Sequence, residues 1–141
     1  MKKLSFLFLF LINCYFVCST LVLSGTLSVT SGETKEEYKK AYFAGGCFWC
    51  MEESFDKVKG VVKSISGYSG GHVKNPTYKQ VIYKDTGHVE AIAVYYDPEL
   101  TSYQELLKVF WLNIDPFDAK GQFCDKGKSY RSVVFYQNIK Q

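Results

Sequence analysis

The order of elements in this sequence predicts an α+β domain, a ferredoxin-like split βαβ sandwich. Three observations carry the expectation. A short apolar strand runs through a glycine pair into a helix near residue 47. A strongly alternating strand, His88–Tyr96, follows a β-branched run at residue 61. A capped amphipathic helix after Ser102 then leads to a last strand. Strand, helix, strand, strand, helix, strand is the split βαβ order. At 141 residues and 47% hydrophobic composition, the chain supplies one packed core. No internal repeat or second domain is visible.

Taking the elements in order, Lys2 and Lys3 precede an almost unbroken apolar run from Leu4 to Leu23, the pattern of a secretory signal. Residues 1–25 are therefore expected to direct export to a periplasmic or extracellular location, with small residues Ser24, Gly25 and Ser28 offering cleavage positions. The competing reading is a signal anchor, because about 20 apolar residues span a bilayer. Membrane association is expected only if the segment stays uncleaved. Cys14 follows Leu11 at lipoprotein-box spacing, but Asn13 is bulkier than that box wants. Residues 26–40 lack periodicity and read as a linker, so the domain is expected over 41–141.

Ala41–Ala44 reads as a buried strand ending at Gly45-Gly46. Phe48, Met51, Phe55 and Val58 recur at helical spacing over Cys47–Val58. Val61–Tyr68 reads as a second strand entering the flexible Ser69-Gly70-Gly71. Pro76 suits the first turn of a short helix, Thr77–Tyr83. His88–Tyr96 alternates throughout and closes at Asp97-Pro98. Ser102, with Glu105 three residues on, caps a helix whose expected apolar stripe is Leu106, Leu107, Phe110 and Trp111. A polar, glycine-containing loop over 115–129 precedes the last strand, Arg131–Tyr136.

The charge pattern narrows the partners. A net charge of +3 with acidic and basic residues interspersed shows no basic clustering, so no nucleic-acid partner is expected. A small molecule or a peptide side chain fits better. Once Cys14 and Cys18 leave with the export segment, Cys47, Cys50 and Cys124 remain, an odd set that suits redox chemistry better than a disulfide framework. In an oxidising compartment such thiols need a reducing partner. Cys47 follows two glycines at a helix start, where backbone N–H groups and the helix dipole favour an anion. The thiolate is the nucleophilic form, and the glycines leave the sulfur approachable. The plain alternative is an inert buried cysteine. His72 and His88 have no metal-ligand spacing, so no metal is expected.

Gly46-Cys47-Phe48-Trp49, with Cys50 three residues after Cys47, resembles the active-site signature of the A-type peptide methionine sulfoxide reductases, in the variant with cysteine where many members carry glycine. Gly67-Tyr68-Ser69-Gly70-Gly71, Pro76-Thr77-Tyr78, Thr86-Gly87-His88-Val89-Glu90-Ala91, Tyr96-Asp97-Pro98, Gln122–Gly127 and Ser129-Tyr130-Arg131-Ser132 follow in the family's order. The resemblance runs from about Tyr42 to Asn138.

It implies reduction of the S epimer of methionine sulfoxide, free or in proteins. Cys47 would be the nucleophile, Phe48 and Trp49 the pocket for the S-methyl group, and Glu90 the acid. Tyr78, Asp125 and Tyr130 would bind the sulfoxide end. Two thiols are candidates to resolve the sulfenic acid, Cys50 one helical turn from Cys47 and Cys124 beside Asp125, with Cys50 expected to attack first and Cys124 to take over the disulfide. No bound cofactor is implied; a thioredoxin-like protein or a dithiol would donate electrons to a monomeric enzyme. The chemistry agrees, because a sulfoxide sulfur is a poor electrophile until its oxygen is protonated, and a glutamate donates that proton only if burial raises its pKa. Without the family pattern Glu90 would be an ordinary strand glutamate, Phe48 core, and Tyr78 and Tyr130 no better choices than Tyr68 or Tyr95.

Two departures stand out. Ser129 replaces a common glutamine, and Lys126 and Lys128 make the loop basic, which is expected to bear on preference among protein substrates. Members usually continue past the last strand with a further helical stretch, so the usual C-terminal extension is expected to be missing from a chain ending at Gln141. The competing functions are a thioredoxin-like CxxC disulfide oxidoreductase, and a binding module with a permanent Cys47–Cys50 disulfide.

Overall fold

The computed structural model describes residues 37–141. The expected export segment, its cleavage positions, and Cys14 and Cys18 lie outside the described residues. The elements are β1 (Lys39–Ala44), α1 (Phe48–Asp56), β2 (Val61–Ser69), α2 (Tyr78–Tyr83), β3 (Val89–Tyr96), α3 (Tyr103–Leu112), β4 (Gly121–Gln122), β5 (Asp125–Lys126), a 3-10 turn at Lys128–Tyr130, and β6 (Val133–Phe135). The main sheet has order β2-β3-β1-β6 with every pairing antiparallel. Inserting β3 between β1 and β2, with β6 on the far side of β1, gives the expected split βαβ arrangement.

Both helices of the split units cover one face of this sheet. Phe43 and Ala41 of β1 and Ile92, Val94 and Tyr96 of β3 meet Phe48, Met51 and Phe55 of α1 and Tyr103, Leu106 and Phe110 of α3. Phe43 sits at the centre, its ring 5.1 Å from Phe55, 5.4 Å from Phe110 and 6.0 Å from Tyr103. Each such fully buried side chain contributes about 1.5–3 kcal/mol. The opposite face holds a smaller cluster of Ala44, Val89 and Ala91 with Val133 and Phe135. The first half of β3 is therefore buried on both faces.

Several local expectations shift. β1 starts at Lys39, two residues before the expected edge. α1 stops at Asp56, so Val58 lies outside the helix, although it still packs on the core. Pro76 lies ahead of the N-cap: Thr77 caps α2 and forms a reciprocal capping box with Gln80. At α3 only half of such a box forms. Ser102 Oγ accepts from Glu105 N at 3.2 Å, while the Glu105 carboxylate pairs with Lys108. Of the expected stripe, Leu106 and Phe110 are buried, joined by Tyr103, but Trp111 is 55% exposed and only edges Phe110. The loop over 115–129 contains the β4–β5 hairpin, and the last strand shortens to Val133–Phe135.

Candidate active site

Cys47 is the N-cap of α1, and its side chain makes no capping hydrogen bond. The backbone N–H of Phe48, one of the donors a helix start leaves unsatisfied, instead donates to Glu90 Oε2 on β3 at 3.0 Å. This bond ties the central strand to the helix start one residue from the cysteine. Gly46 adopts φ +91°, and a Cβ there would lie 2.7 Å from Gln122 Cβ, so the turn before Cys47 requires glycine. Gln122 is buried and anchors the loop beyond: its Oε1 accepts from Asp115 N at 2.6 Å and its Nε2 donates to Asp115 O at 2.9 Å. Gln122 opens one of the sequence motifs, but no role attaches to it there, since its partners are backbone groups.

Glu90 is 1% exposed, and its Oε1 is buried with no hydrogen-bond partner among the described residues. Burial raises its pKa, the Phe48 N–H opposes that, and the charge of Asp125 adds to the rise. Desolvation is the largest of the three, so the net direction is upward from the ordinary carboxylate value. A buried polar atom without a partner is costly, and it marks a position where a substrate atom would be accepted.

Aromatic rings gather beside it. The Phe48 ring lies 5.1 Å from Trp49, 5.8 Å from Tyr68 and 6.3 Å from Tyr78, and Trp49 lies 6.2 Å from Tyr78. Phe48 is itself core, whereas Trp49 is 63% exposed and Tyr78 42% exposed, so these two form the outer wall. The Tyr130 hydroxyl is held protonated by burial, by its hydrogen bond with Tyr78, and by the charges of Glu90, Tyr78 and Asp125. Arg131 fixes this corner, donating to Lys128 O at 3.2 Å and to Gly87 O at 3.4 Å. Cys47, Glu90, Phe48, Trp49, Tyr78, Asp125 and Tyr130 thus share one neighbourhood. Tyr68, to which the motifs assign no role, shares it too.

The remaining cysteines share a cleft with Cys47 and Asp125. A cleft of about 370 Å³ is lined by Cys47, Cys50 and Cys124 together with Met51, Asn113 and Phe123. Cys50 and Cys124 are exposed, and all three thiols are free. The Cys50 thiol is pushed up, first by its hydrogen bond with the Cys47 sulfur, then by burial and by the charges of Cys47, Asp125 and Glu53. Cys124 occupies the two-residue turn of the β4–β5 hairpin behind Phe123, whose φ of 48° is unusual for a bulky residue.

His88 has a structural task. Its Nδ1 accepts from Gly71 N at 3.3 Å and its Nε2 meets Val73 O at 2.9 Å. A Cβ on Gly71 would sit 2.2 Å from the His88 ring. The lysines that make the loop basic are each partnered, Lys126 with Asp118 and Lys128 with Asp85. The all-antiparallel sheet also lacks the parallel pairing that a thioredoxin-like βαβ order predicts.

Comparison with known proteins bears on the whole domain. A family model described as peptide methionine sulfoxide reductase matches residues 39–141. The peptide methionine sulfoxide reductase MsrA of Listeria monocytogenes serotype 4b (strain CLIP80459) is 56% identical over 108 residues, 77% of this chain and 61% of that protein. The MsrA of Bacillus subtilis (strain 168) is 52% identical over 106 residues, 75% of this chain and 60% of that protein. Among solved structures, methionine sulfoxide reductase A of Corynebacterium diphtheriae superposes with a TM-score of 0.70 at 32% identity, covering 73% of this chain and 49% of that one. Mxr1 from Saccharomyces cerevisiae in its reduced form gives a TM-score of 0.68 at 32% identity, covering 73% of this chain and 61% of that one. The chain spans about three fifths of the length of the curated relatives it matches. With a family model matching residues 39–141 and relatives above half identity over about three quarters of the chain, the chain belongs to the peptide methionine sulfoxide reductase family.

Proposed function

We infer that this protein reduces the S epimer of methionine sulfoxide, free or in proteins, to methionine. The observation that carries the reading is the buried Glu90 carboxyl, held by the Phe48 N–H one residue from Cys47, with an Oε1 that has no partner among the described residues. In the first step the Cys47 sulfur attacks the sulfoxide sulfur while Glu90 gives its proton to the oxygen. The oxygen passes to Cys47, leaving a thioether and a cysteine sulfenic acid. Phe48 and Trp49 suit the S-methyl group, because polarizable sulfur packs well against rings. Tyr78, Asp125 and Tyr130 suit the oxygen end.

A chiral pocket with one proton donor presents only one sulfoxide oxygen to it. Incubation with dithiothreitol and each pure epimer should therefore consume the S epimer alone. Equal rates on both would refute this reading.

The sulfenic acid then needs a second thiol. Cys50 lines the same cleft as Cys47, and its attack on the sulfenic acid releases water and forms the Cys47–Cys50 disulfide. Cys124 lines the same cleft, and its thiolate would attack Cys50, freeing Cys47 and leaving an exposed Cys50–Cys124 disulfide. A thioredoxin-like protein or a small dithiol would reduce that bond, giving back two thiols. Mass spectrometry after one turnover without reductant should find Cys50 joined to Cys124, and in Cys124→Ser it should find Cys47 joined to Cys50. Undiminished turnover of Cys50→Ser through a Cys47–Cys124 bond would rule out the relay.

A further inference from the structure

We propose that Tyr68 is a positioning residue whose ring closes the β2 side of the Glu90 carboxyl against water, so that this acid keeps its proton until the sulfoxide oxygen arrives. The inference rests on the reading of Glu90 as proton donor and adds a residue to it. Its first support is register. Tyr68 pairs directly with Glu90 across β2 and β3, and opposed residues of an antiparallel pair project from the same face, about 4.5–5.5 Å apart at Cβ. That face carries the helices, because Ile92, Val94 and Tyr96 continue it into the core.

Packing supplies the second support. The half-buried Tyr68 ring lies 5.8 Å from the Phe48 ring at 33°, and Phe48 is the residue whose N–H holds Glu90 Oε2. Tyr68 is thus braced against the clamp that fixes the carboxyl, while Gly70 and Gly71 follow it at the open end of the strand. A ring here removes water from one flank of a carboxyl whose Oε1 has no protein partner among the described residues. Excluding water penalises the carboxylate over the neutral acid.

The other groups around Glu90 do different work. Asp125 on β5 adds negative charge, and Tyr130 in the 3-10 turn, hydrogen-bonded to Tyr78 of α2, stays neutral. Cys47 adjoins the bonded Phe48 N–H at the head of α1. Tyr68 is the member of this ring of groups that faces Glu90 from β2, and its own hydroxyl is held neutral by burial and by the Glu90 charge.

The test compares Tyr68→Val, which keeps a strand-forming residue but removes the ring, with Tyr68→Ala and Tyr68→Phe in the full chain. Two quantities are followed against pH: kcat/KM for methionine S-sulfoxide with dithiothreitol, and the ¹³C carboxyl resonance of Glu90, identified by its absence in Glu90→Gln. Removing the ring should lower the alkaline midpoint of the profile and of the resonance together, by about one pH unit. Tyr68→Phe should restore both. Unmoved midpoints in Tyr68→Val and Tyr68→Ala, with the Glu90 resonance titrating as in the wild type, would overturn the role of Tyr68 alone. An alkaline limb that persists in Glu90→Gln would overturn the acid itself.

Discussion

Turnover should fall to background in Cys47→Ser, a loss of about a thousandfold or more. Oxygen transfer requires a sulfur that attacks a sulfoxide and then bears the oxygen as a sulfenic acid. A serine hydroxyl is not ionised near neutral pH and has no such oxidation state to reach. Stability should barely change, because the Cys47 side chain makes no capping bond at the start of α1 and serine is a good N-cap. The informative comparison is therefore initial rate against thermal midpoint. A folded variant that keeps consuming sulfoxide would move the nucleophile to Cys50 or Cys124.

Glu90→Gln carries the second large effect. The amide oxygen of glutamine still accepts from Phe48 N–H, so the tie between β3 and α1 survives. What disappears is the proton, and the reductase step should slow by roughly a hundredfold or more, the usual worth of general acid catalysis. Burial raises the Glu90 pKa, so the wild-type rate should hold above the ordinary carboxylate range and fall as pH rises through the raised value. Stability follows the same sign. A raised folded-state pKa contributes stability that is present below the unfolded value and lost as pH rises through the folded one. Glu90→Gln should thus lose rate yet lose less stability than wild type on the alkaline side. Stopped-flow sulfoxide consumption and denaturant titrations at two pH values check both halves; an unchanged rate would make Glu90 a strand residue only.

The sequence disclosed the elements that repeat with a clear period. His88–Tyr96 and the split βαβ order were visible because alternation and helical spacing persist over many residues. Register was not. Tyr68 and Glu90 are 22 positions apart, and no local pattern states that they face each other. The two-residue strands of the β4–β5 hairpin are too short to show any period. Trp111 fitted the helical spacing but stands at the edge of the covered face, near the end of α3. Thr77-x-x-Gln80 has the spacing of a capping box, and Pro76 one residue earlier is itself a helix-start residue, so the sequence offers two starts for α2. For the candidate site, the family motifs singled out Cys47 and Glu90, whereas the bond from Phe48 N–H to Glu90 exists only once β3 packs behind α1.

Asp125 bears on both groups that would supply hydrogen in the proposed cycle. Its charge acts on two groups at once, adding to burial at Glu90 and to the Cys47 hydrogen bond and burial at Cys50. In the proposed cycle the sulfoxide oxygen leaves as water. One of that water's hydrogens comes from Glu90 when the sulfenic acid forms, and the other from the Cys50 thiol when the disulfide closes. Both would therefore come from the protein itself, and Asp125 adds to the upward push on the pKa of each. No hydrogen has to be drawn from solvent between substrate binding and disulfide formation.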